Sequence, residues 1–207
     1  MDLKDGEKIV EYARAAVESY VNGESRNSIL KRAEQELQEL VEERGVFVTI
    51  STFPEKELRG CIGYPEPVYP LNKALALSTI AAATEDPRFP PVSPSELNHI
   101  VFEVTILTKP QKIEYNKPEE LPERIKVGRD GLIAEKGYYR GLLLPQVPVE
   151  WGWDAEEFLS QTCWKAGLPK NEWKKGAVSF YKFEGEIFAE KEVKGRIERI
   201  TPELSHQ

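Results

Sequence analysis

The chain has 207 residues, of which 40% are hydrophobic and 30% charged. That is the balance of a globular protein, and it excludes wholesale disorder. A chain of this length buries roughly 70% of its unfolded surface and needs neither disulfides nor metal to stand. The net charge is −7 and the sequence pI is near 5.2, which argues against nucleic acid as a partner, because gripping phosphate backbone needs basic surface.

No apolar run approaches the roughly 18 residues of a membrane span. The opening Met1-Asp2-Leu3-Lys4-Asp5 lacks the basic-then-apolar layout of a signal peptide. The expectation is a soluble, cytoplasmic protein with no membrane partner.

Two helices come first. Ile9, Tyr12, Ala13, Ala16, Val17 and Tyr20 recur at three- and four-residue steps and predict an amphipathic helix over 7–21, stopped by Asn22-Gly23. Leu30, Ala33, Leu37, Leu40 and Val41 predict a second from Ser28 to Arg44, with Gly45 at its end. Strands follow. Val46–Ile50 is rich in β-formers, residues 52–57 read as a turn, and Leu58–Tyr64 is the returning strand. After a proline-rich bend, Leu71, Leu75, Leu77 and Ile80 mark a buried helix, ended by Glu85-Asp86-Pro87-Arg88-Phe89-Pro90-Pro91. Ser95–Leu97 suggests a short helical turn.

Val101–Leu107 is the clearest strand, with Phe102, Val104 and Ile106 on one side and Glu103 and Thr105 on the other. Residues 109–124 read as irregular. Ile125–Val127 and Leu132–Glu135 flank Gly128-Arg129-Asp130-Gly131, a hairpin-like turn. Tyr139–Leu144 is a further strand. Asp154 caps a helix to about Ala166, closed by Gly167 and Pro169. Ala177–Phe183 and Ile187–Ala189 are late strands, and from Glu190 the chain reads as a charged, loosely attached tail. Helices and strands come in runs, which predicts an α+β fold with a mainly antiparallel sheet flanked by helices and a smaller mixed α/β lobe from the middle segment, about 110–175. One domain over 1–190 and a tail over 191–207 are expected.

Little metal or triad chemistry is available. Cys61 and Cys163 are far apart, and the histidines are His99 and the penultimate His206. No disulfide framework, thiolate zinc site or other metal site is expected, and nothing names a cofactor. The informative segment is Leu58-Arg59-Gly60-Cys61-Ile62-Gly63. On a strand, Leu58, Gly60 and Ile62 take one side, and Arg59, Cys61 and Gly63 the other. A guanidinium beside a thiol favours the nucleophilic thiolate, and glycines permit close backbone approach. Alternatively, Cys61 is a small buried residue. Asp86 and Arg88 either lock a turn or line a pocket in which arginine binds an anion. Gln146, between Pro145 and Pro148, either aims at a site or ends a strand.

The hexapeptide, Asp86–Pro91, Gly128–Gly131, Leu144-Pro145-Gln146-Val147, Trp153-Asp154 and Lys165-Ala166-Gly167 occur together in order. In this the chain resembles the AMMECR protein family, in its single-domain archaeal or bacterial form, up to about residue 190. The resemblance implies a two-lobed α+β domain and no settled activity. It also implies a suspected functional site at the hexapeptide, and association with Memo-like or radical-SAM proteins. It departs at Asp130, where the family's turn often carries histidine, so a mechanism needing a histidine acid or base there does not suit this chain.

The expected function is a small-molecule or modified-residue site on the hexapeptide. Cys61 serves as nucleophile or thiolate ligand, Arg59 as anion binder and thiolate stabiliser, and Asp86 as orienting acid; Gly60, Gly63, Arg88 and Gln146 line the ligand. The competing reading is a non-enzymatic scaffold docking a protein partner through the glycine-rich strand. RNA binding is a third, opposed by the acidic pI.

Overall fold

The structure, a computed structural model, describes residues 1–201; the predicted frayed terminus with His206 lies outside them. Two compact units are present: Met1–Leu107 with the segment from Glu186 on, and Thr108–Gly185. Strand β7 (Ser179–Glu190) contributes to both. The architecture is α+β with an antiparallel sheet, as the sequence predicts.

The first unit contains helices α1 (Leu3–Val21), α2 (Arg26–Glu36) and α3 (Leu71–Thr84). Its strands are β1 (Val46–Thr52), β2 (Leu58–Tyr64), β3 (Ile100–Leu107), the end of β7, and β8 (Ile197–Ile200), with β2 at one edge of the order β2-β1-β3-β7. Asp2 and Ser25 cap α1 and α2, each accepting the backbone N–H three residues on. Val46, Val48 and Ile50 on β1 alternate with half-buried neighbours, as do Phe102, Val104 and Ile106 on β3. These buried rows join Leu75 and Ile80 of α3 and Ile9, Ala13 and Val17 of α1 in one core. Each fully buried aliphatic or aromatic side chain there contributes about 1.5–3 kcal/mol.

Two expectations for this unit fail. Helix α2 ends at Glu36, not Arg44. Asn72 Nδ2 donates to the Leu37 carbonyl, and the Asn72 and Leu71 N–H groups donate to those of Leu40 and Glu42. The chain after Glu36 thus leaves the helix and its carbonyls satisfy the start of α3, whose N–H groups would otherwise be orphaned. The supposedly loose tail also supplies β8, with Ile187–Glu190 of β7 pairing Ile197–Ile200.

The second unit holds β4 (Gln111–Lys112), β5 (Asp130–Lys136), β6 (Tyr139–Leu143), the first part of β7, and helices α4 (Val147–Trp151) and α5 (Ala155–Lys165). Leu132, Ala134, Phe158, Leu159, Cys163 and Phe180 centre its own core. The predicted hairpin around Gly128–Gly131 is absent. Ile125–Val127 is not a strand, Asp130 already begins β5, and its carboxylate accepts the Lys126 N–H and two bonds from Arg129. The hairpin lies one step later, where Lys136 pairs with Tyr139 across Gly137-Tyr138 and Gly137 has φ +59°. The two predicted late strands are one continuous β7.

Candidate functional site

The hexapeptide occupies β2, as predicted. Gly60 faces α3, where an added methyl group would drive into the Ala82 carbonyl oxygen. Ile62 packs against the same core. Leu58 breaks the expected alternation. The register slips between Ile50 and Ser51, so Ser51 pairs with Leu58 and Arg59 is an extra, bulged residue. Leu58 is consequently exposed rather than buried beside Gly60.

The bulge separates Arg59 from its expected role. Its Nε and Nη2 donate to Glu96 at 2.7 and 3.2 Å, and its guanidinium lies 5.9 Å from the centre of the Phe89 ring. That pairing holds the Glu96 carboxyl below the usual carboxylate range. Arg59 Nη1 is sealed from solvent and has no acceptor among the described residues. The cation acting on the Cys61 thiol is Arg88, not Arg59.

Asp86 and Arg88 do converge on Cys61. Asp86 Oδ2 accepts the Cys61 N–H at 2.9 Å. Arg88 Nε donates to Oδ1 at 3.0 Å and Nη2 to Oδ2 at 2.8 Å, and Nη2 also reaches the Cys61 carbonyl at 3.5 Å. Asp86 is buried, and the Arg88 guanidinium holds its carboxyl far below the usual carboxylate range. This pair takes the place of a neighbouring strand at the sheet edge.

Because the Cys61 N–H turns outward to Asp86, Cys61 and its β1 partner Thr49 form the close, non-hydrogen-bonded kind of antiparallel pair. Their side chains meet, with Sγ 3.2 Å from Thr49 Oγ1. Thr49 pairs on its other side with Glu103 of β3. Cys61, Thr49 and Glu103 thus form a row across three strands, on the face opposite the core. Two strand spacings put Cys61 and Glu103 about 10 Å apart at Cα. Phe47 adjoins the row on β1, its ring lying over Gly63, where any Cβ would collide with it.

Burial pushes the half-buried Cys61 thiol above its ordinary value of 9.0. Thr49 and Arg88 pull it down, and Asp86 and Glu103 add to the rise. Burial also pushes the Glu103 carboxyl up. The net direction is upward, opposite to the lowering expected from an arginine two residues away. Cys163 is fully buried in the second unit's core, its thiol pushed up to about 11 by burial. Gln146 belongs to the second unit, exposed at the N-cap of α4.

Sequence reasoning missed Thr49 and the importance of Glu103. The available signal was a glutamate in the middle of a strand whose other residues, Thr105 apart, are apolar. Among the described residues no group of three or more His, Cys, Asp or Glu side chains is suited to a metal, and no helix is long and apolar enough to cross a membrane.

An α+β protein with a cysteine-centred hexapeptide on an edge strand is the class these features define. The AMMECR1 family model matches residues 10–188, and the chain belongs to that family. It is 52% identical over 197 residues to a Methanocaldococcus jannaschii protein, covering 95% of this chain and 96% of that one. A Thermococcus gammatolerans protein is 54% identical over 202 residues, covering 95% and 97%. The crystal structure of the uncharacterised protein PH0010 from Pyrococcus horikoshii matches with a TM-score of 0.73 at 50% identity, covering 95% of this chain and 97% of that one.

Proposed function

We propose that the outer face of β2-β1-β3 binds a small molecule or a modified residue, with the Cys61 thiol at its centre. The observation that carries this reading is the fixing of Cys61 on every side. Asp86 and Arg88 engage its N–H and carbonyl, and Thr49 engages its sulfur. A half-buried thiol held in one position on a sheet face is preorganised for a partner, which a merely space-filling cysteine does not require.

In this reading Asp86 and Arg88 orient the strand, and Arg59 braces it through Glu96 and Phe89. Gly60 and Gly63 admit α3 and the Phe47 ring. Cys61 meets the ligand as a thiol and becomes a nucleophile only when the ligand or a base takes its proton. The protein works in the cytoplasm, and beside Memo-like or radical-SAM proteins as the family resemblance implies.

The test is purification of the protein from its native source, followed by intact mass measurement and mapping of any adduct. In parallel, small-molecule fractions of that source are screened for slowing of Cys61 alkylation. An adduct at Cys61, or a fraction that protects it, supports the reading. A bare thiol whose alkylation no fraction changes contradicts it.

A further inference from the structure

Three peptide bonds of the chain join an aspartyl or asparaginyl residue to glycine: Asp5-Gly6, Asn22-Gly23 and Asp130-Gly131. Such bonds are open to self-modification. Glycine has no Cβ, so its backbone nitrogen can approach the carbonyl carbon of the preceding side chain. A new C–N bond then closes a five-membered imide. From asparagine the side-chain nitrogen leaves as ammonia, and water opens the ring to aspartate or isoaspartate. An ionised carboxylate accepts this attack far less readily than a neutral amide, so chemistry alone puts Asn22 first.

The fold separates the three bonds further. Gly6 is buried in α1, its N–H donates to the Asp2 carbonyl at 3.2 Å, and the Phe188 ring fills the place of a Cβ. Gly131 is buried on β5 under the Phe183 ring, and the Asp130 carboxylate is held by Arg129 and the Lys126 N–H. Asn22 and Gly23 are both exposed, at the end of α1. Gly23 has φ +101°, and a Cβ there would meet nothing within 4 Å.

What restrains the reacting groups is one turn of helix. Asn22 Nδ2 donates to the Glu18 carbonyl at 2.7 Å, the Gly23 N–H to that of Tyr20 at 3.0 Å, and the Glu24 N–H to that of Ser19 at 3.0 Å. Helix ends open at little cost while the rest of the molecule stays folded. When this turn frays, the attacking nitrogen and the leaving amide are released together.

We infer that Asn22 is a spontaneous deamidation site of the folded protein, controlled by fraying of the last turn of α1, and that the conversion loosens that turn. The product carboxylate has no N–H to give the Glu18 carbonyl. It also adds negative charge at the negative end of the helix dipole, on a segment that already carries Glu18 and Glu24.

The folded protein is held in mildly alkaline buffer below its Tm, beside protein unfolded in urea. Peptides are mapped over time for amide-to-acid conversion and for isoaspartate. In the folded protein Asn22 is expected to convert first, with Asp5 and Asp130 intact. Its rate should lie within about a thousandfold of the rate in urea, because a reaction that waits on global unfolding is slowed by more than that. Asn22→Gln, which keeps an amide but cannot close the five-membered ring, should show no conversion at this position. Asn22→Asp, which carries the product side chain, should lose about 1–4 °C in Tm. Slower conversion than that limit, earlier reaction at Asp5 or Asp130, or an Asn22 that stays an amide even in urea overturns the site. A Tm for Asn22→Asp equal to that of the wild type overturns the loosening.

Discussion

Asp86 and Cys61 are 25 positions apart in the chain, yet the Asp86 carboxylate accepts the Cys61 peptide N–H at 2.9 Å. A side chain thereby does at the sheet edge what a neighbouring strand does elsewhere. Asp86→Asn is expected to lower stability by about 1–3 kcal/mol, because the loss weakens a charge-assisted bond and its Arg88 partner together. For a chain of this size that is roughly 2–4 °C in Tm per kcal/mol. The Asp86 carboxyl is held below its ordinary 3.8 in the folded state, so the folded protein binds that proton more weakly than the unfolded chain. Its contribution is complete above the unfolded value and is lost as pH falls toward the folded one. Urea unfolding should show a stability gap between wild type and Asp86→Asn that is constant above about pH 5 and narrows below about pH 4.

Gly60 is the position where α3 approaches β2 through backbone, against the Ala82 carbonyl. Gly60→Ala cannot be relieved by a flexible side chain moving aside. A cost of at least about 1–3 kcal/mol is expected from overpacking, read by thermal unfolding. Gly137→Ala is the comparison: its added methyl meets open space and only its positive φ of +59° opposes it, so a smaller loss is expected.

The electrostatics around Cys61 give opposite signs for two variants. Arg88 lowers the thiol pKa and Glu103 raises it. Burial raises the thiol above its ordinary value, so alkylation of the wild type rises with pH through the alkaline range. Arg88→Leu should slow alkylation at a given pH, and Glu103→Gln should speed it. A pH–rate profile with iodoacetamide checks both directions, and equal rates in all three proteins would refute the assignment of these charges.

Arg14 and Glu190 form a buried pair that joins α1 to β7. Nε meets Oε1 at 2.5 Å and Nη2 meets Oε2 at 2.7 Å, while the guanidinium also donates to the Leu97 and Ile100 carbonyls. Arg14→Leu leaves a buried carboxylate and two carbonyls unmatched, and should cost about 3–5 kcal/mol in denaturant unfolding. Replacing both residues, as Arg14→Met with Glu190→Leu, should cost less than Arg14→Leu alone. The Phe102 N–H, which Glu190 also serves, sets the remaining loss.

The regular elements were legible wherever one periodicity governed burial. The alternation of Phe102, Val104 and Ile106 located β3, and the leucines and alanines after Pro70 located α3. Asp154 and Gly167 bounded α5 because caps are local chemistry. Failures arose where distant residues decided the outcome. Leu37 and Leu40 fit a helical stripe, but their carbonyls serve the start of α3. Leu58 fits strand alternation, but a bulge at Arg59 displaces it.

The site was legible in the same uneven way. The hexapeptide and the Asp86–Arg88 pair stood out by residue type, and they meet at Cys61. The partner of Arg59 did not, because nothing in the strand's own sequence points to Glu96. Thr49 and Glu103 were hidden for a related reason. Cross-strand register, not spacing within a strand, places Thr49 against the sulfur and Glu103 in the same row beyond it.

The most direct measurement is a peptide map of the folded protein after limited treatment with iodoacetamide at pH 9. The half-buried Cys61 should be modified, while Cys163, enclosed in the second unit's core, should stay free until the protein unfolds. Modification of Cys163 with Cys61 left intact would contradict the account.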